Sequence, residues 1–245
     1  MFFSAIRACG ARFKRLVLKW LSLALVVWPS FMKIPVYRGV FGYRIGRGVK
    51  IGLAWLYVDA LEIADHVRIG HFTRIKGIPA VKIGDHTSLG VGNTFTGTLE
   101  FTNFQSQMHR QNRPTLSIGR HVGISMFHYF DVQDELTIGD FTTLAGRTTT
   151  CFTHYLDVEN GTQSAKPVHI GSYCMVGSAV QLVPGAGVPD YCVVGMGAVV
   201  TRAFTTSYCV IAGNPATVVR SLSPDCVYFH RERGWIGSYT SPPWE

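Results

Sequence analysis

The sequence predicts an all-β fold, a parallel β-helix of hexapeptide repeats, on three observations. An aliphatic residue recurs every six positions between Ile170 and Val200, and a small residue follows most of these four positions later. Gly directly follows the aliphatic residue at 171, 177 and 195, and the register extends back to Ile45. A period of six fits neither a helix nor a simple strand, and it is typical of a solenoid whose short strands turn a corner every six residues.

Three such hexads close one triangular coil, and we count about seven coils. The third hexads of the first and fifth coils are expected to place Tyr57 and Thr150 inward. The first inward residues of the coils are Ile45, Ile63, Ile83, Ile118, Ile138, Ile170 and Val188.

The glycines and cysteines are assigned to the corners and the core of the prism. We expect Gly171, Gly177 and Gly195 to supply the positive φ that a tight corner requires. Cys174 and Cys192 occupy the same small position one coil apart, so we expect them to stack in the core, with Cys209 extending the column. This use of cysteine favours a reducing compartment over a disulfide framework.

Two long insertions, residues 96–117 and 151–169, interrupt the period. Both follow the third hexad of a coil, so both leave the prism at the same corner. Insertions on one side of a solenoid mark its binding face.

The charge pattern narrows the class of ligand. The net charge is +8, but no long basic run is present. This favours anionic small molecules or a lipid headgroup surface. No aromatic and basic module for nucleic acid is found, so we expect no nucleic-acid partner.

Three regions are expected: an N-terminal helix at 1–33, the β-helix at 34–205 and a C-terminal extension at 206–245. The helix has one apolar face with a basic flank, and Pro29 is expected to end it. Its uncharged apolar run is too short to cross a bilayer. Two interpretations stay open: peripheral membrane contact through residues 7–32, or a cap over the first coil.

A possible general base opens the second insertion. His154 lies there with Asp157 shortly after it. A loop histidine can take a proton from a hydroxyl, and a nearby carboxylate can fix its tautomer.

At this point the chain resembles the hexapeptide-repeat acyltransferases, which have a left-handed β-helix. It is most similar to the branch of galactoside and maltose acetyltransferases and polysaccharide O-acetyltransferases. The resemblance is carried by the repeat, by the K-P-x-x-I-G segment at 166–171, and by VPGAGVPDYCVVGMGAVVTRAF followed by VIAGNPATVVR. The left hand comes from the resemblance alone, because crossovers are right-handed in general.

The resemblance implies a CoA-dependent O-acyltransferase acting in the cytoplasm or on the cytoplasmic face of the membrane. His154 would be the general base, Asp157 its orienting carboxylate, and the backbone N–H of Ser178 the oxyanion donor. The acceptor would be a hydroxyl of a sugar or glycan precursor, with a lipid-linked acceptor as one option. The site would lie between subunits of a homotrimer. The resemblance assigns binding of acetyl-CoA to Met196, Thr201, Arg202, Asn214, Pro215 and Arg220.

The first insertion and its corner supply candidates for the acceptor. Asn103 and Arg113 lie in the first insertion, and Asp131 lies at the corner between the two insertions. Asp131 is placed to contact either His154 or the acceptor.

Two other functions stay open. His66, His71 and His86 partly match the pattern of γ-class carbonic anhydrases, which share this solenoid, but the first histidine of that set is missing, so no metal is expected. The alternative for these histidines is a set of polar corner residues. A non-catalytic scaffold at the membrane is the third option.

Overall fold

The computed structural model describes residues 2–97 and 114–234, with side chains described from residue 13 onward. The chain forms a three-sided parallel β-helix of seven coils, and each coil contributes one short strand to each of three sheets. We call these sheets faces A, B and C in the order in which the chain passes them. The corners are the A–B, B–C and C–A corners.

Face A confirms the predicted start of every coil. Its strands are β1 (Arg44–Ile45), β4 (Ala60–Ile63), β7 (Ala80–Ile83), β10 (Thr115–Ile118), β13 (Leu136–Ile138), β18 (Val168–Ile170) and β21 (Gly187–Val188).

Face B is the longest sheet and ends in an antiparallel strand. Its strands are β2 (Lys50–Ile51), β5 (Arg68–Ile69), β8 (Ser88–Leu89), β11 (Gly123–Met126), β14 (Thr143–Arg147), β19 (Met175–Val176), β22 (Val193–Val194), β24 (Cys209–Gly213) and β25 (Ala216–Ser221).

Face C completes the prism. Its strands are β3 (Trp55–Tyr57), β6 (Arg74–Lys76), β9 (Thr94–Thr96), β12 (Tyr129–Asp131), β15 (Thr150–Phe152), β20 (Gln181–Leu182) and β23 (Val199–Val200).

The core is a set of columns of buried aliphatic side chains, because equivalent positions pair directly from coil to coil. Each fully buried aliphatic side chain contributes about 1.5–3 kcal/mol. The cysteine column is confirmed: Cys174, Cys192 and Cys209 are fully buried, and the last two sulfur atoms lie 3.6 Å apart. Burial raises the pKa of the Cys174 and Cys192 thiols to about 12, so they remain protonated.

Two of the predicted inward residues were wrong by one position. Leu56 fills the core of the first coil and pairs with Ile75, whereas Tyr57 points outward. Cys151 fills the core of the fifth coil, whereas Thr150 points outward. The B–C corner is one residue shorter than the period in the first coil and one residue longer in the fifth, where a register shift precedes Arg147.

The predicted role of the glycines was also wrong. The positive φ angles fall two residues later, at Tyr173 and Ala179. Gly171 is needed because a Cβ atom would lie 2.5 Å from the backbone nitrogen of Asp190 in the next coil. The requirement is therefore for close approach between coils rather than for a left-handed backbone.

A ladder of stacked rings follows the A–B corner, where non-glycine residues adopt positive φ of 53–60°. Successive ring centroids lie 4.7–5.4 Å apart. Offset stacking of rings at this spacing is favourable and helps to offset the backbone strain. The ladder consists of His66, His86, His121, Phe141, Tyr173, Tyr191 and Tyr208.

The N-terminal region contains two helices rather than one. Helix α1 (Phe2–Ala24) leads into a 3₁₀ turn (Leu25–Val27), and Pro29 precedes helix α2 (Ser30–Gly39) instead of ending all helical structure. Pro29 suits this position because its fixed φ is compatible with a helix start.

These helices cover the first coil. Leu25, Lys33 and Tyr37 are fully buried against it. The Lys33 ammonium donates hydrogen bonds to the carbonyl groups of Val26 at 3.0 Å and Gly52 at 2.8 Å, and burial lowers its pKa to about 8. The region therefore acts as a cap.

The same helices leave an apolar surface exposed. Phe13, Trp20 and Phe31 are 68%, 66% and 76% exposed. Neither helix, over its described residues, combines the length and the apolar character that a bilayer span requires.

The C-terminal extension is ordered over residues 206–234. Strand β24 continues face B, and β25 folds back on it. A 3₁₀ segment (Val227–His230) then returns to the A–B corner, where Phe229 packs edge-to-face on Tyr191 and Tyr208. Residues 235–245 lie outside the described chain.

Candidate functional site

His154 leaves the prism at the C–A corner, directly after β15. It begins a β-hairpin formed by β16 (His154–Asp157) and β17 (Thr162–Ala165), which is the described form of the second insertion. About a third of its side chain, 32%, is exposed. The imidazole is therefore held by the coil and remains accessible to a substrate.

Asp131 is the carboxylate that contacts this imidazole. Its Oδ2 atom lies 2.7 Å from Nδ1 of His154, and the residue is only 3% exposed. An ionised carboxylate can only accept, so Nδ1 carries the proton and donates it. Nε2 then keeps its lone pair and is free to act as a base.

A buried hydrogen-bond network fixes Asp131. The backbone N–H of Thr153 donates to Oδ2 at 3.3 Å, and the Gln133 amide donates to Oδ1 at 3.2 Å. The Thr153 hydroxyl is fully buried and accepts from the backbone N–H of Gln133 at 2.7 Å. Sequence reasoning missed Thr153 and Gln133, because only their contact across coils reveals the network.

Asp157 does not contact His154, contrary to the expected orienting role. Its carboxylate accepts hydrogen bonds from the backbone N–H groups of Glu159 and Asn160 and from the Asn160 side chain. These bonds, led by the one from the Asn160 side chain, lower the pKa of Asp157. It therefore stabilises the turn of the hairpin.

Ser178 and Met196 lie at the B–C corner, in successive coils. The backbone N–H of Gly197 donates to the Ser178 carbonyl at 2.9 Å, and Met196 is 77% exposed. A Cβ atom on Gly177 would lie 2.8 Å from the backbone nitrogen of Met196. The two coils thus meet closely at this corner.

The other expected donor residues occupy two places. Asn214 and Pro215 form the exposed tip of the β24–β25 hairpin, and Arg220 lies on β25. Thr201 and Arg202 follow β23 at the C–A corner, with the Arg202 guanidinium 5.1 Å from the ring centroid of Phe204. All five are exposed.

His154 and Ser178 therefore lie at different corners of one chain. His154 follows a strand of face C, and Ser178 follows a strand of face B. One chain does not bring the two groups together.

Asn103 and Arg113, expected at the acceptor site, lie outside the described residues.

The histidines considered for a metal are arranged differently. His66 and His86 stack face to face with centroids 4.9 Å apart, and His71 lies at another corner, where its Nδ1 accepts from the backbone N–H of Leu53. Stacked rings do not direct their in-plane nitrogen atoms at one point. Within residues 2–97 and 114–234, no group of three or more histidine, cysteine or acidic side chains is placed to hold a metal ion.

Comparison with known proteins places this geometry in context. No family model matches the chain. It is 31% identical over 111 residues to the galactoside O-acetyltransferase of Escherichia coli (strain K12), covering 42% of this chain and 54% of that protein. The chain thus spans about half the length of this curated relative.

Solved structures give the fold. The polySia specific acetyltransferase NeuO matches with a TM-score of 0.52 and 20% identity, covering 73% of this chain and 79% of that chain. A maltose O-acetyltransferase from Clostridium difficile 630 matches at 14% identity and a TM-score of 0.41, covering 85% and 84%. The likeness to the first structure, a left-handed β-helix, confirms the expected fold and hand of the coils.

The Asp131–His154 hydrogen bond predicts the tautomer of the imidazole. In the unmodified protein, His154 should carry its proton on Nδ1. Asp131→Asn should remove this preference, because an amide can donate to Nδ1 instead. ¹⁵N NMR of the histidine side chains measures the tautomer directly.

Asp157→Asn is the matched control, because it makes the same chemical change on the hairpin that carries His154. It should leave the His154 signals unchanged. Equal effects of the two substitutions on the His154 signals would contradict the assignment of Asp131 as the group that fixes the tautomer.

Proposed function

We propose that this protein is an acetyl-CoA-dependent O-acyltransferase that transfers an acetyl group to a hydroxyl of a sugar or glycan precursor. The single observation that carries the proposal is the buried Asp131 bound to Nδ1 of an accessible His154. This arrangement is that of a general base whose tautomer is fixed by a carboxylate. The similarity to named acetyltransferases supports the choice of reaction.

The proposed reaction is a direct transfer. Nε2 of His154 takes the proton of the acceptor hydroxyl as its oxygen attacks the thioester carbonyl carbon. The resulting tetrahedral oxyanion accepts a hydrogen bond from the backbone N–H of Ser178. When the intermediate collapses, the C–S bond breaks and the imidazolium returns its proton to the CoA sulfur. Asp131 stabilises the positive charge on the ring between these two steps.

The proposed donor site follows the B–C corner. Met196 and the hairpin tip at Asn214 and Pro215 would flank the pantetheine arm, and Arg220 would contact a CoA phosphate. Thr201 and Arg202 lie at the C–A corner, so we assign them to the donor through a neighbouring subunit.

We propose a homotrimer for the same reason. The base and the oxyanion donor lie at different corners, so they meet only if the C–A corner of one chain faces the B–C corner of another. A closed ring of three copies satisfies this at every interface.

Binding of acetyl-CoA and the loss of transfer in His154→Gln test the proposed function. Acetyl-CoA at about 100 times its dissociation constant should stabilise the protein by about 2.7 kcal/mol, visible as a rise in Tm. His154→Gln should keep this rise and lose at least about 100-fold in the rate of CoA release with an acceptor. A protein that shows no Tm rise, or a variant with unchanged turnover, would refute the function.

Mixed oligomers test the shared site. His154→Gln and Met196→Glu should each be inactive alone. Mixed in equal amounts and assembled at random into trimers, they should restore about a quarter of the activity, because a quarter of all interfaces then pair two intact corners. Pull-down with two tags confirms mixing. Mixed trimers without activity would place both groups in one chain.

We further propose that the exposed surface of α1 and α2 contacts the cytoplasmic face of a membrane. Phe13, Trp20 and Phe31 supply apolar area, and Lys14 and Arg15 supply charge for anionic headgroups. The cap and the membrane contact are compatible, because they use opposite sides of the same helices.

Vesicle co-sedimentation tests this contact. Trp20→Ser with Phe31→Ser should lower binding to phosphatidylglycerol vesicles by about tenfold or more. Deletion of the helices is unsuitable, because it would also uncover the first coil. Phe72→Ser, which removes an exposed ring at the B–C corner, is the control and should have no effect. Unchanged binding of the double variant to these vesicles would contradict the proposed membrane contact.

A further inference from the structure

Face C presents two straight columns of outward side chains that run from α1 to His154. The strands pair in register, so each column is a ladder with one side chain per coil. One ladder consists of Trp55, Arg74, Thr94, Tyr129 and Thr150, and the other of Tyr57, Lys76, Thr96, Asp131 and Phe152.

The lower end of the ladders joins the N-terminal helix. The Trp55 indole donates to the Ser22 hydroxyl at 2.8 Å, and the Tyr57 hydroxyl donates to the Arg15 carbonyl at 3.0 Å. Near the upper end, Asp131 binds His154, and Phe152 follows in the next coil. Face C therefore connects the candidate membrane surface to the candidate base.

Two cations lie side by side in the second coil of this face. Arg74 donates to the Thr94 hydroxyl at 3.2 Å, and the Lys76 ammonium lies 5.4 Å from the Trp55 ring centroid. Neither forms an ion pair with any described residue. Within the strands of face C, Asp131 is the only acidic residue, and it is bound to His154.

Two arginines on another side of the prism have carboxylate partners. At the A–B corner, Arg47 pairs with Asp65 at 2.9 Å, and Arg120 pairs with Asp140 at 3.0 Å. Arg74 and Lys76 differ from these two arginines in having no carboxylate partner among the described residues.

The distance from these cations to Asp131, the carboxylate that holds the base, suits a short saccharide. Lys76 lies two strands from Asp131 on the same ladder. Neighbouring strands are about 4.8 Å apart, so the separation is about 10 Å. This is close to the length of one to two sugar rings.

An exposed aromatic pair lies between the cations and the base. Tyr129 and Phe152 are 38% and 40% exposed, with ring centroids 5.7 Å apart, and the Phe152 ring lies 6.4 Å from His154. Burial, with a contribution from Asp131, raises the pKa of Tyr129, so its hydroxyl stays a donor. Aromatic faces with nearby polar groups are a common lining of ligand sites.

We propose that face C binds an anionic saccharide as the acceptor, and this rests on the proposed function. The carboxylate or phosphate of the saccharide binds Arg74 and Lys76, and the next ring packs on Tyr129 and Phe152. This places a hydroxyl of that ring at Nε2 of His154. Arg74 and Lys76 are thus specificity-determining residues and take no part in the chemistry.

Matched pairs of charged and neutral probes test the proposal by NMR titration of the full chain with saturating CoA. Trigalacturonate is compared with its methyl ester, and glucose 6-phosphate with glucose. One or both charged probes should bind at least tenfold more tightly than the neutral partner. The pair with the larger ratio identifies carboxylate or phosphate as the source.

The variants separate local recognition from overall charge. Arg74→Gln and Lys76→Gln should each reduce the ratio of charged-probe to neutral-probe affinity several-fold. Together they should bring this ratio close to one. Lys82→Gln removes the same charge from face A and should keep the ratio. Phe152→Ala should weaken the charged and neutral probes equally.

The outcomes also distinguish the two proposals. Equal binding of charged and neutral probes, no binding of any probe, or an equal effect of Lys82→Gln would overturn the anionic site. If CoA raises Tm in the same sample, the proposed transferase function survives that result. If CoA does not bind, the transferase function fails.

Discussion

Direct stacking of equivalent residues in successive coils is the constraint on which the whole molecule depends. Most strands have only two to four residues and could not persist alone. Each is held by backbone hydrogen bonds to the coils on either side and by a buried column of side chains. Because the columns must stay aligned, an extra residue within a coil has to be absorbed at a corner. Long insertions are tolerated only where they leave the prism, and His154 is found at such a place.

The same stacking builds the candidate site from separate parts of the chain. Asp131 and His154 are 23 residues apart but lie in adjacent coils, so the carboxylate and the imidazole meet. Thr153 and Gln133 then close the network around the carboxylate. Buried polar groups are costly unless they are all satisfied, so this network holds the geometry of the ring. A rigid coil thereby supplies an orientation that a free loop would not.

The period of six predicted the start of all seven coils, because that pattern is local and repeated. It failed at Leu56 and Cys151, where one corner is shorter or longer than the period and a neighbouring residue turns inward. The sequence also suggested Asp157 as the partner of His154, because nearness along the chain was the only guide to a partner. The true contact with Asp131 depends on the coil register. Helix α2 was missed because its buried residues, Lys33 and Tyr37, are covered by the first coil. The spacing of apolar residues along the chain does not show that contact.

The covered ends of the prism have a consequence for its behaviour in solution. A stack of short strands is a one-dimensional lattice, and its bare end would accept a further copy without limit. At the first coil, α1 and α2 cover that end, and the Lys33 ammonium donates a hydrogen bond to the Gly52 carbonyl of the coil. At the last coil, β25 pairs antiparallel with β24 on face B, so a further parallel strand has no template on that face. Segments of the chain itself therefore cover the first coil and the face B edge of the last coil. A fold that could add coils without limit is kept at a defined length.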